Sequence, residues 1–392
     1  MLNWSKVARQ IDELAASQVS GLADWKRRLG QALVDLESAE VNLARLVDKV
    51  RQSQTSWLVA EPVESLVRAY LPLPRPPQVT VAATDGSQIA PDHHEVVLCY
   101  LLNIGRVMLH YGTGEPPVLE SVPYLGYLED DLYQETNGRK VLVQGDLLAI
   151  RRTLFEWEHL VELSRRAKER DLPTVALIDG TLIQWVLEGK AEGVQQYFLQ
   201  RYLALFEQMH TLEVPPVGYL SGTRSTDVVN LLRVYRCPQA VADCDHCAFR
   251  RSLELAPCGE LEGLTDAALF KHRMLPGQRT GLFFSQSKVL QQYGRHRVAF
   301  FYVHVGHEIA RVELPAWAAL NPDLVELVHT VIVDQTQKGQ GYPVALAEAH
   351  EQAVIKGADR ETFYHLLTEA LVRRGVTAAV SRKSWRKRSG LI

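Results

Sequence analysis

A run of prolines divides the chain of 392 residues into two regions with different patterns: Pro72, Pro74, Pro76 and Pro77. Proline lacks the backbone N–H and clashes with the preceding helical turn, so no helix continues through this run. Before it, apolar side chains recur at steps of three and four between residues 22 and 50, which predicts an amphipathic helix. After it, apolar strands alternate with helical segments, as is typical of a mixed α/β protein. We therefore predict a helical arm at residues 1–71, which either packs on its own domain or binds a partner, and an α/β domain at residues 79–370.

Composition and charge exclude several classes of protein. With 46% hydrophobic and 23% charged residues, the chain is not disordered throughout. It contains no apolar window long enough to cross a membrane and no signal-peptide core at its start, so we expect a cytoplasmic location. The net charge of −3 excludes a uniformly basic nucleic-acid coat, but residues 371–392 hold seven Lys or Arg and no acidic residue. This basic tail is either a solvated chain end or a contact with a polyanionic partner.

Two apolar strands each run into an Asp–Gly pair, at Asp85 and at Asp179. The segments 79–84, 95–102 and 107–111 predict three consecutive strands, and residues 85–87 predict a turn after the first of them. If the strands before Asp85 and Asp179 are neighbours, both carboxylates lie at one sheet edge, where they repel each other unless a divalent cation lies between them. Such hard oxygen ligands fit Mg²⁺ or Mn²⁺. A local Asx-turn is the alternative for each aspartate.

A helix predicted at residues 145–170 offers a third carboxylate. Glu156 shares its face with small or apolar side chains: Thr153, Leu160 and Leu163. Glu162 shares its face with charged ones: Glu158, Arg165 and Arg166. A carboxylate on a buried face needs a partner, and a metal ion is one such partner. We therefore prefer Glu156 as the third ligand and keep Glu162 as the alternative; an ion pair with Arg152 is the structural explanation of Glu156.

The C-terminal region contributes a tyrosine and a histidine. Pro343 fits the first turn of a helix that carries His350 among apolar residues. Such a histidine is either a core residue or, beside metal-binding carboxylates, a ligand or proton shuttle. Tyr342 lies eight residues earlier, about two helical turns, a spacing that allows its hydroxyl to point the same way.

Five segments of the chain, taken in this order, resemble the NurA nuclease family: residues 81–88, 174–183, 217–233, 301–317 and 341–355. The resemblance implies an RNase H-like fold with a mixed five-stranded sheet flanked by helices. It also implies Mn²⁺-dependent (or Mg²⁺-dependent) exonuclease and single-strand endonuclease activity on DNA. As partners it implies a second copy of the chain, in a homodimer, and a HerA-type hexameric translocase with which the nuclease resects the ends of double-strand breaks.

The resemblance also assigns roles to single residues: the two family aspartates fall on Asp85 and Asp179, the histidine on His350 and the tyrosine on Tyr342. The family glutamate falls on Glu156 or Glu162, and the face argument favours Glu156. Metal ions held by Asp85, Glu156 and Asp179 would neutralise charge on the attacked phosphodiester, and His350 would hold a second ion or protonate the leaving oxygen. Arg224, in the turn before a helix, is either a surface residue or a phosphate contact. A catalytically inactive DNA-binding or translocase-adaptor module is the alternative function.

Four of the five cysteines form the pattern C-x6-C-x2-C-x10-C, at Cys237, Cys244, Cys247 and Cys258. We interpret residues 237–258 as an insertion in the nuclease domain that binds a metal. A tetrahedral Zn²⁺ and a [4Fe–4S] cluster both accept four thiolates, and we slightly prefer the cluster. Its expected role is to hold a loop that contacts DNA, or, in a third hypothesis, to be the functional centre of a nucleic-acid-binding metalloprotein. Cys99 is predicted to be a core residue.

Overall fold

The computed structural model describes residues 2–92, 97–136, 138–251 and 256–376. The helices of these residues, in chain order, are α1 (Trp4–Val41), α2 (Leu43–Gln52), α3 (Glu129–Leu132), α4 (Asp146–Lys168), α5 (Glu192–Thr211), α6 (Asp227–Arg236), α7 (Asp266–Lys271), α8 (Ala316–Ala319), α9 (Pro322–Lys338), α10 (Val344–Ala353) and α11 (Gly357–Arg373). The strands are β1 (Ala60–Pro62), β2 (Val79–Ile89), β3 (Tyr100–Tyr111), β4 (Val118–Gly126), β5 (Tyr133–Thr136), β6 (Arg139–Leu142), β7 (Thr174–Asp179), β8 (Pro216–Leu220), β9 (Phe283–Ser285), β10 (Val298–His304) and β11 (Ile309–Pro315). The predicted mixed α/β class is confirmed.

The chain divides into two units, which are described separately. The first unit comprises Met1–Leu73 and Leu220–Ala319, and the second comprises Pro74–Tyr219 and Leu320–Ile392. Within the described ranges, none of the helices combines the length and the apolar character that a membrane-spanning segment needs. The basic tail predicted at residues 371–392 lies outside the described residues from residue 377 onwards.

In the first unit, strands β1, β9, β10 and β11 pair antiparallel in that order. The second half of α1 packs against α6 and α7, and its side chains Leu29 and Leu36 belong to the buried core of this unit. This part of the predicted helical arm therefore packs on its own unit. The first half of α1 is exposed, including Ile11 and Leu14.

In the second unit, the strand order is β8, β7, β2, β3 and β4. β2 pairs parallel with β7 and antiparallel with β3, β7 pairs parallel with β8, and β3 pairs antiparallel with β4, so this sheet is mixed. Helices α4 and α10 pack against β2 and β3. The strand residues 174–178 are all buried, as expected for a parallel strand inside a sheet.

Two local predictions in this unit are wrong. The turn predicted at residues 85–87 is absent, because β2 continues to Ile89 in register with β3. The strands predicted at 95–102 and 107–111 are one strand, β3, which starts at Tyr100; residues 93–96 lie outside the described residues. Hydrogen bonds to a neighbouring strand hold the backbone extended even where the local sequence contains turn residues, which explains both errors.

Candidate active site at the edge of strands β2 and β7

The parallel pairing of β2 and β7 brings two aspartates to one edge of the sheet. Thr84 is paired with Ile178, so Asp85 and Asp179 both follow the last paired position of neighbouring strands. The adjacency on which the metal-site hypothesis depended is therefore present. The chain leaves β7 through Gly180, whose φ of 107° lies in the left-handed region that favours glycine.

Gly86 has a different role from Gly180, because β2 does not turn there. A Cβ atom at Gly86 would collide with Oε1 of Glu156 and would lie 2.9 Å from Cγ of Arg152. The missing side chain therefore allows helix α4 to bring Glu156 directly over β2, beside Asp85. A hydrogen bond of 3.0 Å from the Thr84 hydroxyl to the Glu156 carbonyl oxygen fixes the same contact.

Glu156 is almost fully buried, and its Oε1 lies 3.0 Å from Nε of Arg152. Burial raises the pKa of Glu156 to about 7, Arg152 lowers it, and the charges of Asp85 and Asp179 raise it further. The three carboxyl groups thus lie within electrostatic range of one another. Glu162, the alternative ligand, is instead paired with Arg106 at 2.9 Å.

Asp85 is held on both of its oxygens. Oδ1 accepts a hydrogen bond of 2.7 Å from the backbone N–H of Gly86, and Oδ2 lies 2.9 Å from Nδ1 of His350. The side chain of His350 is 64% exposed, so the hypothesis of a core histidine is wrong. α10 packs on β2 and β3 and places His350 at the edge where Asp85 lies.

Asp179 accepts a hydrogen bond from the Tyr342 hydroxyl, and the Tyr342 ring packs edge-on against Tyr219 at 5.6 Å between ring centroids. Desolvation by the surrounding protein and the charge of Asp85 raise the pKa of Asp179, although the bond from Tyr342 lowers it. Burial and the negative charge of Asp179 raise the pKa of Tyr342 well above its usual range, so the hydroxyl keeps its proton.

The structure thus brings together Asp85, Glu156, Asp179, Tyr342 and His350, which all belong to the second unit. Arg224 is exposed before α6 in the first unit, which also contains the four clustered cysteines. Among the described residues, no three His, Cys, Asp or Glu side chains are arranged to hold a metal ion as they stand.

Two residues of this site were not assigned to it from the sequence, Arg152 and Gly86. The spacing of four between Arg152 and Glu156 indicated their ion pair but not its position beside two aspartates. Gly86 was interpreted as a turn residue, and a sequence alone does not distinguish a glycine that turns from one that permits a close approach.

A family model described as the NurA domain matches residues 79–355, which is more than half of the chain. The chain belongs to the NurA family. The resemblance found in the sequence is thereby confirmed, and the chain is a member of a nuclease family whose enzymes are generally metal-dependent. All site residues named above fall inside this NurA domain.

The structure also resembles the crystal structure of the NurA nuclease from Sulfolobus solfataricus, with a TM-score of 0.52. The match covers 95% of this chain and 98% of the other, at 13% sequence identity, so it shows a shared NurA fold and nothing finer. A comparison with curated protein sequences found no match.

Proposed function

We propose that this NurA-family chain is a metal-dependent deoxyribonuclease. Its site for the hydrolysis of phosphodiester bonds would be formed by Asp85, Glu156 and Asp179. The observation that carries the proposal is the meeting of three carboxyl groups from β2, α4 and β7 at one sheet edge. Burial, followed by the charges of the neighbouring carboxylates, raises the pKa of Glu156 and of Asp179, and a divalent cation would stabilise their charged forms.

The donor set fits a hard divalent cation by its chemistry. Carboxylate oxygens are the ligands that Mg²⁺ and Mn²⁺ prefer, and a histidine nitrogen is an acceptable further ligand for Mn²⁺. Asp85, Glu156 and Asp179, with His350, would hold Mn²⁺ or Mg²⁺. When bound, the ion would neutralise negative charge on the phosphate and lower the pKa of a water molecule.

The protein side chains around the carboxylates supply orientation and proton transfer. Tyr342 holds the carboxylate of Asp179, and the backbone N–H of Gly86 holds that of Asp85. His350 uses Nδ1 on Asp85 and has an exposed side chain, so its Nε2 is available for one of two roles, as a metal ligand or as the donor of a proton to the leaving oxygen. Arg224, which is exposed, would contact a DNA phosphate.

Family membership supports the finer proposals. We propose an RNase H-like fold for the second unit, which the mixed order β8, β7, β2, β3, β4 supports. We further propose exonuclease and single-strand endonuclease activity in the resection of double-strand breaks, with a HerA-type hexameric translocase as partner and a homodimer as the active form.

The test is a nuclease assay of the purified chain on labelled single- and double-stranded DNA, with Mn²⁺, with Mg²⁺ and without a metal ion. Asp85→Asn should abolish Mn²⁺-dependent degradation and leave DNA binding intact. Asp146→Asn, which changes an exposed aspartate at the start of α4, is the matched control and should cut at the wild-type rate. If the wild-type chain binds DNA but does not cut it with either metal, it is a DNA-binding or translocase-adaptor module and the proposal is wrong.

A further inference from the structure

Four cysteines of the first unit have no part in the proposed nuclease site. Cys237, Cys244, Cys247 and Cys258 are all half-buried, and none forms a disulfide. Cys237 is the C-cap residue that follows α6, and Cys258 lies in the short 3₁₀ helix Pro257–Leu261. They therefore lie on separate segments that the fold has to bring together.

Two basic side chains tie the ends of this segment to the rest of the first unit. Nζ of Lys49 donates a hydrogen bond of 2.6 Å to the carbonyl oxygen of Cys237. Nε of Arg233 donates one of 3.2 Å to the carbonyl oxygen of Cys258, while its guanidinium lies 4.5 Å from the centre of the Trp57 ring. The backbone positions of Cys237 and Cys258 are therefore fixed, and each has a positive charge beside it.

The two middle cysteines are also held by their backbone. The N–H of Cys244 donates a hydrogen bond of 3.0 Å to the carbonyl oxygen of Gln54, next to a parallel bridge between Gln54 and Asp243. The carbonyl oxygen of Cys247 accepts one of 3.1 Å from the N–H of Arg250. The segment that carries the C-x2-C pair thus has a defined place against the residues that follow α2.

The backbone contacts bring the four cysteines toward one place. Residues 49–54 link two of them, since Lys49 contacts Cys237 and Gln54 contacts Cys244. Arg233, which lies four residues before Cys237 at the end of α6, contacts Cys258, and Cys247 is tied to Cys244 by the C-x2-C spacing. Four thiols that gather without forming disulfides are expected at a site for a thiophilic metal.

We propose that these residues form a four-thiolate metal site, which binds one Zn²⁺ ion or one iron–sulfur cluster: Cys237, Cys244, Cys247 and Cys258. In the described part of the chain, no three of them are arranged around an ion. Binding therefore requires that the thiols lose their protons and that the side chains close on the metal. Four thiolates carry more negative charge than either centre neutralises, and Lys49 and Arg233 offset the remainder.

The experiment measures zinc, iron and acid-labile sulfide in the full chain purified without oxygen. Cys244→Ser/Cys247→Ser is the test variant, and Cys99→Ala, at the buried cysteine of the second unit, is the matched control. Wild type and Cys99→Ala should hold about one Zn²⁺ per chain, or iron and sulfide in a fixed ratio with visible absorption; the double variant should lose the metal. The two metal readouts distinguish the two centres.

A second measurement does not depend on the folding of the variant. Wild-type chain that is stripped of metal is incubated with Zn²⁺ or with ferrous iron and sulfide, and its cysteines are then alkylated. The bound centre should protect all four cysteines from the reagent together. Alkylation that neither metal changes, or metal that the double variant retains, would overturn the proposal. Asp85→Asn should keep the cysteine-bound metal, so this experiment tests the cysteine site independently of the nuclease activity.

Discussion

At the residue scale, Gly86 sets the distance between α4 and β2. Gly86→Ala would place a Cβ against Glu156 Oε1 and Arg152, so one of these side chains has to leave its position. We expect the free energy of unfolding to fall by about 1–3 kcal/mol, as for other overpacked positions, and Mn²⁺-dependent cleavage to be lost. Gly357→Ala, which meets no atom within 4 Å, is the control and should change neither quantity appreciably. Normal cleavage by Gly86→Ala would show that the contact of Glu156 with β2 is dispensable.

The choice between Glu156 and Glu162 is a second question at this scale. Changes to the partners of metal ligands already cost about 10- to 100-fold in activity, so Glu156→Gln should cost at least about 100-fold. Glu162→Gln breaks a pair with Arg106 and should cost stability but little activity per folded chain. Initial rates of cleavage at saturating Mn²⁺, corrected for the folded fraction, measure the difference. A large loss of activity in Glu162→Gln and a small one in Glu156→Gln would instead assign the role of third metal ligand to Glu162.

The burial of Glu156 also predicts a pH dependence of the metal-free protein. Burial raises the pKa of Glu156 from 4.5 to about 7, so the folded chain binds this proton more tightly than the unfolded chain does. The resulting contribution to the unfolding free energy is complete below pH 4.5 and is lost as the pH rises through about 7. Its scale is roughly 3 kcal/mol. Denaturant titrations between about pH 5 and pH 8 should show this loss in wild type and not in Glu156→Gln.

At the element scale, α6 depends on a side chain from another helix for its N-terminal cap. Its own N-cap, Thr226, makes no side-chain cap bond. The fully buried carboxylate of Asp266, from α7, accepts hydrogen bonds from the N–H groups of Val228 and Val229, at 3.0 and 2.8 Å, and from the Tyr302 hydroxyl at 2.6 Å. These bonds join α6, α7 and β10 in the first unit.

Asp266→Ala would leave two buried amides and a buried hydroxyl without an acceptor. Each such group costs about 1–3 kcal/mol, so we expect the unfolding free energy to fall by about 3 kcal/mol or more. Asp266→Asn keeps the size and one acceptor oxygen, and it should lose less. Chemical unfolding of the three proteins tests the order. Equal stability of the alanine and asparagine variants would show that packing, and not the acceptor oxygens, dominates at this position.

The strands and helices near the site show which elements a sequence can reveal. The apolar runs before Asp85 and Asp179 predicted two strands, but that these strands are neighbours was only a condition of the metal-site hypothesis, which the parallel pairing of β2 and β7 meets. The face of α4 that carries Glu156 followed from helical periodicity alone. β4 gave no such signal, because before Gly126 its burial alternates only between half-buried and exposed positions, and apolar residues such as Leu119 and Leu125 occupy exposed ones. The extension of β2 past Asp85 depends on pairing with β3, which local sequence does not encode.

At the scale of the whole molecule, the sequence did not indicate that the first unit is built from two distant segments. Periodicity shows which face of α1 is apolar, but it does not show that Leu29 and Leu36 meet a core that includes Val228 and Phe300. Packing partners are chosen by shape and by the complete set of available faces, so a long separation in sequence hides them. The same limit applies to Lys49 and Arg233, whose places beside the cysteines only the fold reveals.

Ligand binding links the proposed carboxylate site to the stability of the whole chain. A ligand that binds only the folded state adds about 2.7 kcal/mol to the free energy of unfolding at a free concentration of 100 times its dissociation constant. Saturating Mn²⁺ should therefore raise the thermal unfolding temperature of wild type, and chelation should reverse the shift.

Asp85→Asn should lose most of the shift, because the ion loses a carboxylate that β2 supplies. Cys244→Ser/Cys247→Ser should keep it, since these cysteines belong to the first unit and Asp85 to the second. An equal shift in wild type and Asp85→Asn would mean that Mn²⁺ binds away from the three carboxylates, and the proposed hydrolytic site would then lack its metal.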